Sequence, residues 1–588
     1  MKFSALALDY DGTIATDAGF DPSVRAAIGD LRRAGITVIL VTGRRLDDLR
    51  RAAGDLTCFD AVVGENGAVL EFPMRGRHVT LAHPPAPAFV DDLRRRGVHL
   101  QVGEAIVECD AAAAPSVLAA VRALEQPLVL AFNRGRLMIL PQAVAKSTGL
   151  RQALFAMRMS IHNTVGIGDA ENDHDLLDAC EVGVAVGWGS AALRAVADEV
   201  VEGTGPPAVA EYIRRLASQP RLSATQMGRR RLLLGREPNG TPVDLAVRGR
   251  TILIAGEPGT GKSWLAGSIC EQLILQGYCL CVIDPEGDYA SLQTLPSVIT
   301  LGGADPPPHA RELLRAIRPD ISLVIDLSKT THQRKVEYLE TILPMLAELR
   351  RRTGLPHKIV LDEAHYFLRG PDARALVDPE LEGYVFVTYR VSRLDPSVRG
   401  TPDAVVLVTR ESDPAEASAL AALARPPAVV SPDMLRSLAT TDAALLPGPD
   451  ESRGRVRVFQ TAPRLTSHVR HQSKYLDMPV ADYLAFVFSE EGRPGPRART
   501  LKEFIGLLAA LPPAGLAQHA LRHDFSRWLE NVFRDRPLAV RVRDIEDDIG
   551  TADIHDLTDR IGQTIRARYE MAPERAAAVE QLSCTAMR

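Results

Sequence analysis

No stretch of this chain approaches the 18 or so consecutive apolar residues that a membrane span needs, so no transmembrane helix is expected. The opening, MKFSALALDYDGT, runs into an acidic motif instead of a cleavable apolar leader, and a cytoplasmic protein is expected. Cysteine is sparse: seven residues, at 58, 109, 180, 270, 279, 281 and 584, make an odd number without metal-site spacing. Neither a disulfide framework nor a zinc site is expected. Cys279 and Cys281 alternate along an apolar run and read as buried strand residues. A strong charge of either sign is also missing: the net charge of −5 gives no global footprint for a polyanion such as DNA. Local basic runs at Arg94 to Arg96, Arg229 to Arg231 and Arg350 to Arg352 read as solvated helix faces or linkers. Internal repeats and low-complexity tracts are absent.

What is present is ordinary globular material, 46% hydrophobic and 24% charged over 588 residues, enough for about three or four domains. From residue 3 to about 215, apolar runs (FSALALDY, ITVILV, AVVGENGAVL, NTVGIG, VGVAVG) alternate with helical patterns such as Pro22 to Ala34, which predicts a parallel sheet covered on both faces. The stretch from about 75 to 140 interrupts that rhythm and reads as an inserted α/β cap. Residues 218–249, rich in Arg, Gly and Pro, suit a linker followed by a short hairpin. A second α/β domain is expected over 250–470. Beyond it, Gly492 to Arg499 (GRPGPRAR) reads as a further linker within 471–588, preceding a small helical C-terminal domain with Leu501, Phe504, Ile505 and Leu508 at helical spacing.

Two sets of polar residues carry chemistry. In the first, Asp9-Tyr10-Asp11-Gly12-Thr13 ends the first strand, where open α/β sheets place their sites. Asp9 is the candidate nucleophile and Asp11 the candidate acid/base. Val41-Thr42-Gly43-Arg44 ends the second strand, and the Thr42 hydroxyl with the following helix amides makes a phosphate seat. Lys146, after the insertion, can hold phosphoryl charge. Gly168-Asp169-Ala170-Glu171-Asn172-Asp173 brings carboxylates to another strand end, fit for a hard cation such as Mg²⁺. Gly64-Glu65-Asn66-Gly67 at the cap hinge is either a substrate contact through Asn66 or a polar turn.

In the second set, the TILIAG strand leads into Gly256-Glu257-Pro258-Gly259-Thr260-Gly261-Lys262-Ser263 and an apolar helix, the GxxxxGK[ST] phosphate loop in its required context. Gly256, Gly259 and Gly261 let backbone amides wrap the phosphates of ATP, Lys262 reaches the terminal ones and Ser263 ligates Mg²⁺. The apolar run ending Asp362-Glu363 supplies a second Mg²⁺ contact, Asp362, and a carboxylate, Glu363, to polarise water. Arg390 and Arg399 could serve as intersubunit fingers but read as surface arginines. His519, His523 and Asp524 on a tail helix read as a packed helix with polar edges.

Residues 1 to about 215 resemble the capped phosphatases of the haloacid dehalogenase superfamily, the Cof-like and sucrose-phosphate phosphatase groups, in the order Asp9, Asp11, Thr42, Lys146, Asp169, Asp173. The resemblance implies a Rossmann-like core and an aspartyl phosphate on Asp9. It also implies Mg²⁺ held by Asp9, the Asp11 carbonyl and Asp169, with Asp173 and Asn172 supporting. About residues 230–470 resemble the HerA-like pumping ATPases, with Asp284 to Tyr289 and Asp326 to Ser328 as further, generic motifs. The expectation is therefore a Mg²⁺-dependent phosphatase acting on a small phosphorylated metabolite, fused to a P-loop ATPase that regulates or assembles it. The alternative is a nucleic-acid translocase with an accessory phosphatase. Nucleic acid is not the favoured partner, and a homo-oligomer could form through the ATPase part.

Overall fold

The computed structural model describes residues 3–218, 229–424, 430–466 and 480–568, apart from 18, 134, 249, 371–372, 379–380, 401–403, 440, 448–450, 451–454, 481, 491–492, 534 and 550–552. It forms two compact units, one of residues 1–285 with 289–468 and another of 286–288 with 469–588.

The first unit holds two sheets with their helices and a cap. Its eight-stranded sheet runs Glu199–Val201, Val182–Val186, Thr164–Gly168, Ala5–Leu8, Thr37–Val41, Ala61–Gly64, Val69–Phe72, Arg77–Thr80. The first six strands are parallel and the last two antiparallel. Ala5–Leu8, Thr164–Gly168 and Val182–Val186 are buried at every position, as strands covered on both faces must be. Helix Pro22–Arg33 is capped by Asp21, whose carboxylate accepts the Ser23 and Val24 amides, and buries Val24, Ala27, Ile28 and Leu31. The helical pattern at Glu171 to Cys180 resolves into a 3₁₀ turn, Glu171–Asp173, and a short helix, His174–Ala179.

The cap starts later than the break at 75. Arg77–Thr80 extends the main sheet through a turn in which Gly76 takes φ 57°. The cap's own elements run from helix Pro87–Arg95 to strand Arg136–Pro141. They build a four-stranded antiparallel sheet over a core of Phe89, Leu93, Val107, Val117, Leu137 and Ile139.

The second sheet has eleven strands. Seven parallel ones run Ala404–Val408, Thr251–Ala255, Tyr384–Thr388, Lys358–Leu361, Leu280–Asp284, Ser322–Asp326, Val298–Gly302. Four antiparallel strands continue it, among them the Arg231–Arg236/Pro242–Ala246 hairpin. That hairpin is thus part of the second sheet rather than of a linker. Cys279 and Cys281 are buried, as their alternation predicts.

The second unit contains helices Leu501–Ala510, Pro513–Leu521, Asp524–Asn531, Arg536–Glu546 and Ile554–Arg568 around Phe486, Phe488, Phe504, Phe525 and Trp528. The proline-rich stretch read as a linker is strand Arg493–Ala498, antiparallel to Phe486–Glu490. Proline is tolerated there because a two-stranded ribbon consists only of edges.

Candidate active sites

The first site grows from three neighbouring strand ends. Asp9 follows Ala5–Leu8, and its amide donates to the Ile167 carbonyl at 2.9 Å. Thr42 follows Thr37–Val41, fully buried, and its hydroxyl oxygen accepts the Arg44 amide at 3.1 Å. Asp169 follows Thr164–Gly168, and Lys146 opens helix Lys146–Ala156. Parallel register aligns these ends, so residues far apart in sequence meet. Lys146 Nζ donates to Asp9 Oδ1 at 2.5 Å and to Asp173 Oδ1 at 2.6 Å. Asp173 Oδ2 accepts the amides of Asp169 at 3.0 Å and Ala170 at 3.1 Å. Ligand atoms of Asp9, Asp169 and Asp173 all lie within 4.8 Å of one another.

The electrostatics are those of a crowded, buried site. Asp9 is 3% exposed, Asp169 3%, Asp173 0% and Lys146 1%. Burial first, and then the Asp173 carboxylate, push Asp9 well above the usual carboxylate range; Lys146 pulls it back and Asp169 adds to the rise. Burial works against the Lys146 charge, but Asp173 and Asp9 more than offset it and hold its pKa above the usual value. Three carboxylates against one ammonium leave an excess of acidic groups where Asp9 and Asp169 face the cavity under the cap. An oxygen-only donor set with that excess fits a hard divalent cation. Both Asp173 oxygens are already engaged, so Asp173 braces Lys146 and the Asp169 loop while Asp9 and Asp169 present oxygen toward the shared space.

The Asp11 carboxylate stands apart from that cluster. Arg44 grips it bidentately, Nε to Oδ2 at 2.8 Å and Nη2 to Oδ1 at 2.6 Å. Both line a cavity of about 760 Å³ beneath the cap, to which the cap contributes Gln101, Glu108, Asn133 and Arg136. Asn172 also lines this cavity, but Asn66 is not among its lining residues. Asn66 instead sits in the hinge turn at φ 56°, next to Glu65, whose carboxylate accepts the amides of Glu104, Ala105 and Ile106 and ties hinge to cap. Gly67 is required: a Cβ there would lie 1.9 Å from the Ala145 carbonyl oxygen, beside Lys146.

The second site lies at the carboxyl end of Thr251–Ala255. Gly256 (φ 144°), Gly259 (φ 78°) and Gly261 (φ 99°) take positive φ, the backbone a phosphate-cradling loop needs. Helix Lys262–Leu275 begins directly after it, and Lys262 Nζ rests on the Glu257 carbonyl at 2.9 Å. Ser263 follows Lys262 in that first turn. Asp362 and Glu363, each 1% exposed, close the strand Lys358–Leu361, one strand removed from the loop strand. Glu363 has φ 49°, a strained conformation for a residue with a side chain, and its carboxylate lies 3.5 Å from His365 Nδ1. His365 Nδ1 also meets Thr388 Oγ1 at 3.1 Å, on the strand between the two motifs.

With both geometries in place, similarity to known proteins separates the halves. Residues 6–104 and 113–213 match the haloacid dehalogenase-like hydrolase family model, and 235–352 match that of the helicase HerA central domain. A phosphoglycolate phosphatase of Methanothermobacter thermautotrophicus is 30% identical over 227 residues, covering 36% of this chain and 97% of the relative. The N-terminal part belongs to the haloacid dehalogenase-like hydrolases. Another phosphoglycolate phosphatase, of Methanosarcina acetivorans, is 24% identical and covers 37% of this chain and 98% of its own. A solved haloacid dehalogenase-like hydrolase of Bacteroides thetaiotaomicron has 18% identity and a TM-score of 0.33, covering 37% of this chain and all of its own.

In this hydrolase the sequence left several site residues unread. Arg45, Arg51, Glu108 and Arg136 line the cavity, but only the fold brings them together, and Trp188 Nε1 donates to the Gly12 carbonyl at 2.7 Å. In the HerA-like part Glu411 is 3% exposed and close enough to Glu257 and Lys262 to feel their charges. Arg390 Nη1 reaches Asp413 Oδ2 at 3.4 Å within its own domain. In the second unit His519 Nδ1 meets Asp524 Oδ2 at 2.8 Å, while Nε2 accepts the Ser489 amide at 3.0 Å where a bulge interrupts the strand pairing. That lone pair is taken, so the Asp524–His519–Ser489 line is a structural cap.

Proposed function

We propose that the N-terminal part hydrolyses a small phosphate monoester and that the HerA-like part hydrolyses ATP. The observation that carries the first half is the Asp9, Asp169, Asp173 cluster with Lys146 wedged into it. Asp9 attacks phosphorus and forms an aspartyl phosphate, while Asp11 gives a proton to the departing alkoxide. Asp11 then takes a proton from water as that water attacks the aspartyl phosphate, which releases orthophosphate and restores Asp9. Thr42 and Lys146 hold the phosphoryl oxygens. Asp9, Asp169 and the Asp11 carbonyl would hold Mg²⁺, which when bound neutralises phosphoryl charge.

The cavity walls bear Arg45, Arg51 and Arg136 beside Asp48 and Glu108, a lining suited to a polar, anionic or hydroxyl-rich leaving group. Phosphoglycolate, named for the relatives, and sugar phosphates are the first substrates to try. With Mg²⁺ present, wild-type protein should release phosphate from at least one member of such a panel and Asp9→Asn from none; equal rates would refute the reading.

The support for ATP hydrolysis is the glycine loop with Lys262 and Ser263, together with Asp362 and Glu363. Lys262→Ala should abolish ATP turnover. The HerA central-domain match supports a second reading, a translocase on nucleic acid. It requires ATPase stimulation by DNA or RNA that weakens as salt rises.

A further inference from the structure

We propose that Trp188 is a positioning residue of the first site, fixing the turn after Asp11 so that the Asp11 carbonyl and Asp169 keep the spacing a cation requires; the role rests on the reading of that site as a Mg²⁺-dependent hydrolase. Trp188 Nε1 donates to the Gly12 carbonyl at 2.7 Å. It is not among the residues lining the cavity under the cap, so it acts through Gly12 and not on the substrate.

Gly12 is the soft point of the site. It takes φ 77°, a region where glycine moves freely, directly after the proposed acid/base Asp11. Its amide donates to the Ala15 carbonyl at 3.2 Å, and the Trp188 indole holds its own carbonyl. Held on both sides, Gly12 cannot turn, and the Asp11 carbonyl, which shares a peptide plane with the Gly12 amide, keeps its direction.

The loop that carries Trp188 holds the other ligand as well. Ser190 donates its amide to the Asp169 carbonyl at 2.7 Å. Gly189 permits that approach, since a Cβ there would lie 2.6 Å from the same carbonyl oxygen. In the sheet, Val182–Val186 lies beside Thr164–Gly168, and Ala5–Leu8 lies beyond it. At about 4.8 Å between strands, the loop after Val186 must reach roughly 10 Å across the Asp169 strand end to touch Gly12. A long side chain with few rotatable bonds and one donor does that. The Trp188 ring is half-buried on the apolar core of Tyr10, Ile14 and Val186, which fixes its direction. A Phe at this position would keep the packing and lose only the donor. Gly12 would then be free to turn, and cation binding would carry the cost of ordering it, about 10-fold in affinity.

Calorimetric titration of the full chain with MgCl₂, without nucleotide or ester and with Asp169→Asn as the blank, should give a Kd about 10-fold higher for Trp188→Phe than for wild type. The Mg²⁺ concentration for half-maximal phosphate release should rise by the same factor at unchanged KM for the ester. Packing alone would lower the melting midpoint and leave the Kd where it was. Equal Mg²⁺ affinity in the two proteins therefore overturns the assignment, as does a wild type that binds no Mg²⁺. Weaker binding in Trp188→Phe, from a protein that hydrolyses no ester, would instead refute the hydrolytic reading and leave the assignment standing. Should Trp188→Phe fail to fold, the wild type decides: one tryptophan indole N–H resonance must shift on Mg²⁺ addition and remain fixed in Asp169→Asn, and the lack of such a shift overturns the assignment.

Discussion

At the scale of single residues, two buried charges have opposite demands. Lys146 is the one ammonium bonded into the Asp9 and Asp173 carboxylates. Replacing it with Met leaves buried carboxylates without their partner, a change that costs about 3–5 kcal/mol. Lys146→Met is therefore expected to lower the melting midpoint of the hydrolase part and to abolish phosphate release, with added Mg²⁺ recovering part of the stability and none of the turnover. Calorimetry with and without the ion checks both. Glu411 presents the reverse case. Burial pushes its carboxyl up to about 7; the Asp413 amide opposes the rise and the Glu257 and Glu416 carboxylates add to it. Its unfolded value lies lower, near the ordinary 4.5, so the folded state binds the extra proton between about pH 4.5 and 7. Stability from this group is thus fully present below that window and lost as pH rises through 7, by at most about 3 kcal/mol. Glu411→Gln is expected to flatten the fall in melting midpoint between pH 5 and 8; an unchanged slope would count against the assignment.

Elements explain what could be read from the sequence and what could not. The strand-end motifs were legible because a parallel strand buried on both faces is an unbroken apolar run, and the first polar residues after it lie at the carboxyl edge where sites form. Asp9, Thr42, Asp169 and the glycine loop all follow such runs. Arg136, Glu108 and Glu411 follow no such rule, since each reaches its site through packing between elements distant in sequence. Local composition misled at Arg493–Ala498, where two prolines in a short stretch suggest a linker yet an edge strand forms. Close packing of elements was equally invisible. A Cβ on Gly149 would meet Val63 Cγ1 at 2.5 Å and Gly67 Cα at 2.6 Å, so the helix carrying Lys146 approaches the hinge only because both glycines lack side chains. Gly149→Ala must displace that helix, and a displacement near 1 Å at a catalytic group costs about 100-fold. Its kcat for the monoester is expected to fall by about that factor while ATP turnover stays unchanged.

The whole molecule joins its two sites base to base. His162 stacks on Tyr278 with ring centroids 3.9 Å apart, Tyr278 donates to Glu181 at 2.8 Å, and His357 reaches Asn163 at 3.1 Å. Each of these residues lies at or just before the amino end of its strand: Asn163 before Thr164–Gly168, Glu181 before Val182–Val186, Tyr278 before Leu280–Asp284, His357 before Lys358–Leu361. Both candidate sites stand at the carboxyl ends of the same sheets. The path from Asp169 to Asp362, down one strand, across the Asn163–His357 hydrogen bond and up the other, therefore crosses two strands, of five and four residues, or roughly 30 Å at about 3.3 Å per residue. No phosphoryl group can pass directly between sites that open away from one another. The arrangement leaves the strands themselves as the route for any influence, and strands packed on both faces are stiff. Separate turnover is the expected behaviour: Asp9→Asn should abolish monoester hydrolysis and leave ATP hydrolysis within about two-fold of wild type, and Lys262→Ala should do the converse. Tyr278→Phe, which removes one buried hydrogen bond across the junction, should cost about 1–2 kcal/mol of stability without changing either rate. If either catalytic variant silenced both reactions while remaining folded, the stiff-junction picture would have to give way to one in which the two halves move together.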